Sequence, residues 1–294
     1  MTKKPTANVA ASVRARLMKL RDARGGDYNA LLTQYAIERF LYRLSKSSLA
    51  KRFTLKGAML FRVWSGDLHR PTRDLDLLGQ GDATPDAVAD AVRQVLITPV
   101  ADDGLTFDLA AVTAGLIREE NEYGGIRVRL AANLGGARIP MQIDVGFGDA
   151  ITPGADLRAY PTLLDMEAPK LKMYPPETVV AEKLQAMVML GMTNSRMKDY
   201  YDLLVVFRRY TLDTGDLARA IAATFKRRKT DLPTGVPVGL SDEFAGDKIR
   251  QRLWHEFLSR LDISDAPMAI ADVIQELRPR ILPLFERARQ TPKP

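Results

Sequence analysis

The chain has 294 residues, with 43 Lys and Arg against 36 Asp and Glu, a net charge of +7, two His and no Cys. That length predicts about two domains and a core that needs no covalent staple. Zero Cys excludes a disulfide framework, a thiolate zinc site, an iron–sulfur cluster and a Cys nucleophile, and two distant His, His69 and His255, argue against a His-built metal site.

The N-terminal MTKKPTANVAAS has no apolar run behind its lysines, so no secretory signal is expected. No window approaches the roughly 18 apolar residues of a membrane helix. A cytoplasmic chain with no membrane association is expected. Apolar residues at helical spacing predict a helix over 8–24, stopped by Gly25-Gly26, and a second over 28–45. Phe53 and Leu55 suggest a short strand entering Gly57, followed by a helix over 58–64. Residues 74–78 alternate charged and apolar side chains and read as a strand. Thr84-Pro85 is an N-cap and N1 pairing that opens a helix to 97. Alternation over 126–130 and again over 139–145 signals a hairpin, with Leu134-Gly-Gly-Ala137 as a turn longer than the ideal two residues. Beyond 165 the character is helical, with helices over 178–190, 195–209, 216–226, 248–260 and 268–289 and a Pro/Gly loop over 230–241. The expected fold is an α/β half over 1–165, a mixed sheet with flanking helices, and a helical domain over 166–294, with the boundary in the Pro-rich segment 161–176.

Thr72-Arg-Asp-Leu-Asp-Leu-Leu78 is the first chemical feature. Period two sends Asp74 and Asp76 to one face and Leu75 and Leu77 to the other. Two neighbouring carboxylates repel, and are tolerated when solvated or beside a divalent cation such as Mg²⁺. Alone, D-x-D is more often a solvated edge strand. Upstream, Lys56-Gly57-Ala58 sits where a strand meets a helix, and Gly there lets the backbone approach a phosphate. Gln142 and Asp144 share the polar face of another strand, so Asp144 is either a third carboxylate or a surface acid. In the segment 176–188, Lys183 falls within the apolar half of a helix, and Glu182 and Gln185 fall outside it. A Lys there either reaches an anion or snorkels. In 195–207, Asn194 or Ser195 offers an N-cap, and Arg196, Asp199 and Asp202 share one flank. Lys226-Arg-Arg-Lys229 reads as a solvated run at a helix C-terminus, with a nucleic-acid patch as the alternative. No P-loop, nucleophile elbow or dinucleotide fingerprint is present.

Five segments together resemble the AbiEii/AbiGii toxin family of nucleotidyltransferase-like proteins. They are L-K-G-A-M-L-F-R over 55–62, R-P-T-R-D-L-D-L-L over 70–78, I-D-V-G-F-G-D over 143–149, E-T-V-V-A-E-K over 177–183 and S-R-M-K-D-Y-Y-D-L over 195–203. The resemblance spans most of the chain. It implies a toxin of a type IV toxin–antitoxin system, paired with a winged-helix antitoxin, that transfers a nucleoside monophosphate from an NTP. The acceptor it suggests is the 3′ end of tRNA, with a protein hydroxyl or a decayed binding module as alternatives. Carried onto this sequence, Asp74 and Asp76 would hold Mg²⁺, with Asp144 as the third acid. Lys183 would meet the triphosphate and Asp202 would match the essential acid of the last motif, with Asp199 as second candidate. Lys56, Gly57, Thr72, Asp144, Arg196 and Asp199 would line the nucleotide. Ala58 stands where the family pattern has Ser, which removes one hydroxyl contact.

Overall fold

In the computed structural model the described residues are 8–66, 70, 72, 74–117, 124–261 and 263–291. Helix α1 (Val9–Arg24) is capped by Asn8, whose side chain accepts from the Ala11 amide, and it stops at Gly25. Asp27 caps α2 (Tyr28–Lys46), a largely buried helix. There follow β1 (Phe53–Lys56), α3 (Leu60–Ser65), β2 (Asp74–Gly79) and α4 (Pro85–Leu96). Thr84 caps α4 ahead of its N1 proline, as the sequence predicts. Next come β3 (Leu105–Phe107), β4 (Thr113–Leu116), β5 (Ile126–Leu134), β6 (Ala137–Phe147), β7 (Asp156–Ala159) and β8 (Lys170–Met173). The rest is helical: α5 (Pro176–Leu190), α6 (Met197–Arg209), α7 (Thr214–Arg227), α8 (Asp242–Gly246), α9 (Lys248–Leu261) and α10 (Ile270–Gln290). The fold is thus mixed α/β, with helices and a mixed sheet first and helices after. No described helix is long and apolar enough to cross a membrane.

The eight strands form one sheet in the order β3-β5-β6-β2-β1-β8-β7, with β4 also on β5. Pairing is antiparallel except for β2 on β6 and β1 on β8. The β5–β6 turn is tighter than expected from the sequence. Leu134 pairs with Ala137, leaving two turn residues, Gly135 and Gly136, both at positive φ. Positive φ at both positions is what a type I′ hairpin demands, and Gly meets it without strain. Strands β3, β4, β7 and β8 were outside the expected set. β3 has three residues and β7 has four, all exposed, so each is too short to signal a strand by its alternation. β8 does alternate, as Lys-Leu-Lys-Met, within the Pro-rich stretch.

The chain divides into two compact units. One comprises the residues up to Gly148 together with Asp156–Met173; the other comprises Asp149–Ala155 and everything from Tyr174 onward. In the first, one sheet face is apolar, with Leu75, Leu77, Ile143 and Val145 buried, and α2 and α4 pack on the sheet. In the second, α5, α6, α7 and α10 pack on one another around side chains such as Leu184, Leu204, Ile221 and Ile274.

Helix α2 carries charge into the first core. Asp103 is buried and takes Arg43 through two bonds (2.6 and 3.0 Å) and Arg39 through a third (3.3 Å). One residue before Arg39, Glu38 is also buried; it accepts from the Leu163 amide at 2.6 Å, and its Oε1 has no hydrogen-bond partner among the described residues. Burial pushes the Glu38 carboxyl up to about 7, against the Leu163 bond and the charges of Arg39 and Arg62. Between pH 4.5 and 7 the folded state therefore keeps a proton that the unfolded state has released, so stability falls as pH rises through that window and levels off above it. The expected fall is about 1–3 kcal/mol. Glu38→Gln should flatten it, as measured by urea unfolding at pH 5 and pH 8.

Candidate active site

Strand register builds the polar face of the first unit's sheet. Asp76 lies opposite Lys56 on β1 and opposite Asp144 on β6, and Asp144 lies opposite Arg127 on β5. The next row holds Asp74, Gln142 and Arg129. The alternation read from the sequence thus brings Asp74, Asp76 and Asp144 to one face. Gly57 closes β1 at φ +76, and a Cβ there would lie 2.7 Å from Cγ and 2.8 Å from Cβ of Asp76. Only a residue without a side chain lets the turn press against that carboxylate. Ala58, at the family's Ser position, is buried. The following helix, α3, has six residues, too short to contribute a strong dipole. The Thr72 hydroxyl lies 3.5 Å from the Asp74 carbonyl oxygen. His69, Pro71 and Arg73 lie outside the described residues.

Asp144 is engaged. Arg127 donates from Nε at 2.8 Å and from Nη2 at 2.7 Å to its two oxygens, a bidentate pair. The hydrogen bond to Asp144 raises the Arg127 pKa against the cost of burial, and the negative fields of Asp144, Asp74 and Asp76 add to it. Among the described residues no group of three His, Cys, Asp or Glu is arranged to hold a metal. Sequence reading missed Arg127. The alternation put it on the polar face, and counting the hairpin register outward from Gly135-Gly136 would have set it against Asp144.

A second cluster sits in the helical unit. Lys183 on α5 donates to Asp199 at 2.6 Å and to Asp202 at 2.8 Å, and Arg196 donates to the other Asp199 oxygen at 2.7 Å. Both acids are buried. Burial raises the Asp199 carboxyl, and Lys183 and Arg196 more than reverse this, so its pKa falls below the ordinary value. The four residues picked from two separate motifs are therefore one ion network. Helix α6 starts at Met197, two residues later than expected, and Asn194 instead accepts from the Arg196 amide in the turn before it.

The run Lys226–Lys229 is not uniformly solvated. Arg228 turns inward and binds Asp149 at 2.9 Å, Glu182 at 3.3 Å and the Gln185 oxygen at 2.9 Å. Burial lowers the Arg228 pKa, but Glu182 and Asp149 raise it further. Gln185 is buried rather than outward-facing, because Arg228 and Thr230 satisfy its amide.

The description "Nucleotidyl transferase AbiEii toxin, Type IV TA system" matches this sequence over residues 39–288, which includes all five motifs. The chain belongs to the AbiEii nucleotidyltransferase toxin family. An NTP substrate and a cognate antitoxin follow from that membership. This AbiEii-family chain is also similar in fold to two crystal structures. One is a nucleotidyltransferase candidate from H. pylori (14% identity, 90% of this chain, 98% of the other, TM-score 0.52). The other is JHP933 from Helicobacter pylori (14% identity, 89% and 94%, TM-score 0.51). No curated protein matches the chain.

The family implies a divalent metal, and the residues fit one. Asp74 and Asp76 offer hard oxygen donors on one face of β2, and Gly57 puts no side chain of its own against the Asp76 carboxylate. Gly57→Ala should cost about 1–3 kcal/mol in strain at positive φ and displace Asp76, so Mn²⁺ binding followed by electron paramagnetic resonance should weaken while the circular dichroism spectrum is kept. Lys183→Met removes the cation shared by two buried carboxylates, leaving Asp199 with Arg196, and should destabilise the chain by about 3–5 kcal/mol in urea unfolding. Lys183→Arg should recover much of that loss.

Proposed function

We propose that this chain transfers a nucleoside monophosphate from an NTP to the 3′ end of tRNA, which blocks translation. The observation that carries the reaction type is the pair Asp74 and Asp76 on one face of β2, beside the glycine turn at Gly57. In the reaction the acceptor hydroxyl releases its proton to solvent as its oxygen bonds to the α-phosphorus, the bond from that phosphorus to the α,β-bridging oxygen breaks, and pyrophosphate leaves with the electron pair. Bound to Asp74 and Asp76, Mg²⁺ would polarise the α-phosphate and lower the pKa of the attacking hydroxyl.

The protein's own residues supply position and charge. Gly57 allows the β1 turn to approach the triphosphate without a side chain between them. Lys183 balances phosphate charge, and Asp199 and Asp202 fix its ammonium in direction. Thr72, Lys56 and Arg196 contribute polar contacts to the nucleotide. A polyanionic acceptor is consistent with the net charge of +7. A winged-helix antitoxin is the protein partner, and the cytoplasm, where NTP and tRNA meet, is the site of action.

The test is incubation with each labelled NTP, total RNA and total protein. Label should enter tRNA 3′ ends, and Asp74→Ala should lose at least about a thousandfold in transfer rate with an unchanged urea midpoint. Label only in protein would replace the tRNA acceptor with a protein hydroxyl. Full activity of Asp74→Ala would refute the assignment.

A further inference from the structure

Arg127 belongs to none of the five motifs, yet it holds the third acid of the polar sheet face. Its Nε and one Nη2 hydrogen are used on Asp144. A guanidinium has five N–H donors in a rigid fork, so three remain, and among the described residues none of them has a partner. The side chain is 33% exposed against 17% for Asp144. The pair is thus neither sealed in a core, where every donor must be satisfied, nor loose on the surface.

Three features give this arrangement a direction. The plane of the guanidinium is fixed by a two-point contact, so its unused edge is oriented before any ligand arrives. It stands in the same cross-strand row as Asp76 and one row from Asp74. Both Asp144 oxygens are already hydrogen-bonded to a cation, and no set of three described acids is gathered for a metal. A planar fork with spare donors beside two metal-binding carboxylates suits a phosphate oxygen, as arginine does in phosphate sites generally.

We propose that Arg127 is a phosphate-binding residue of the nucleotide site, and that Asp144 is its positioning residue instead of a metal ligand. The assignment rests on the nucleotidyltransferase reading above. It divides the polar face into two functions: Asp74 and Asp76 take the cation, and Arg127, aimed by Asp144, takes an anionic oxygen of the nucleotide.

Charge sign separates this role from a merely structural one. Replacing Asp144 by Asn removes a negative charge, which by field alone tightens anion binding. If Asp144 aims Arg127, the same replacement weakens anion binding. The probe is inorganic tripolyphosphate, titrated calorimetrically against the full chain in EDTA, which avoids any dependence on the base. Arg127→Met should weaken binding at least about tenfold, and Arg127→Lys less, since charge without the fork is retained. Asp144→Asn should weaken it about threefold or more in the wild-type background, and in the Arg127→Met background, where only the field effect remains, it should not weaken it further and should tighten it slightly. The neutral pair Arg127→Gln with Asp144→Asn keeps the hydrogen-bonding shape, and serves if a single variant fails to fold.

Mn²⁺ titrations without nucleotide complete the set. Asp74→Ala should abolish Mn²⁺ binding, and Asp144→Asn should leave it measurable. Loss of Mn²⁺ binding in Asp144→Asn equal to that in Asp74→Ala would overturn the proposal, because Asp144 would then be a ligand. So would wild-type affinity of Arg127→Met for tripolyphosphate, tighter binding by Asp144→Asn, or no binding by the wild type. If Asp74→Ala keeps Mn²⁺, the metal assignment itself falls, and the tripolyphosphate titrations still decide Arg127.

Discussion

Like charges cannot be stacked on one face of a sheet without compensation, and the first unit is organised by that constraint. Asp74, Asp76 and Asp144 lie in adjacent rows of one polar face. The chain answers locally, with Lys56 opposite Asp76 and Arg127 opposite Asp144. The helical unit solves the inverse problem. There a single ammonium, Lys183, is enclosed by two buried acids, and Arg196 completes the balance. On the sheet, charge is left partly exposed and able to exchange partners. Among the helices it is buried, where breaking a pair is costly. The two arrangements differ physically: the sheet face leaves its charges partly exposed, whereas the helical network holds one cation in a fixed place.

Much of this was legible in the residues. Period two placed Asp74, Asp76 and Asp144 correctly because each strand has a buried apolar face that fixes its orientation. The helical cap at Thr84 announced itself for the same kind of local reason. What stayed hidden needed a partner from elsewhere in the chain. Gln185 looks outward by helical phase, and only Arg228 and Thr230, more than forty residues away, explain its burial. β7 is four residues long and exposed along its whole length, so no buried face marks its pairing with β8.

Arg127 is the instructive intermediate case. Its face was evident and its partner was not, yet the information was present. A Gly-Gly turn of two residues fixes the hairpin register, and counting back from Leu134 and forward from Ala137 sets Arg127 against Asp144. The four-residue turn expected over 134–137 and the two-residue turn observed share one centre, so either sets Arg127 against Asp144, 17 positions away. Register thus links the local chemistry of two glycines to the electrostatics of the sheet face.

The path of the chain between the units has a temporal consequence. After β6 the polypeptide contributes Asp149–Ala155 to the helical unit, returns to the sheet for β7 and β8, and then leaves it. Asp149 finds its partner Arg228 only 79 residues later. On a ribosome adding about 5–20 residues per second, that partner arrives on the order of ten seconds after Asp149 is made. The sheet can thus be completed while this short excursion still waits for the helices that will receive it. Neither unit is one continuous piece of sequence, so synthesis order, and not only final stability, is written into where the chain crosses over.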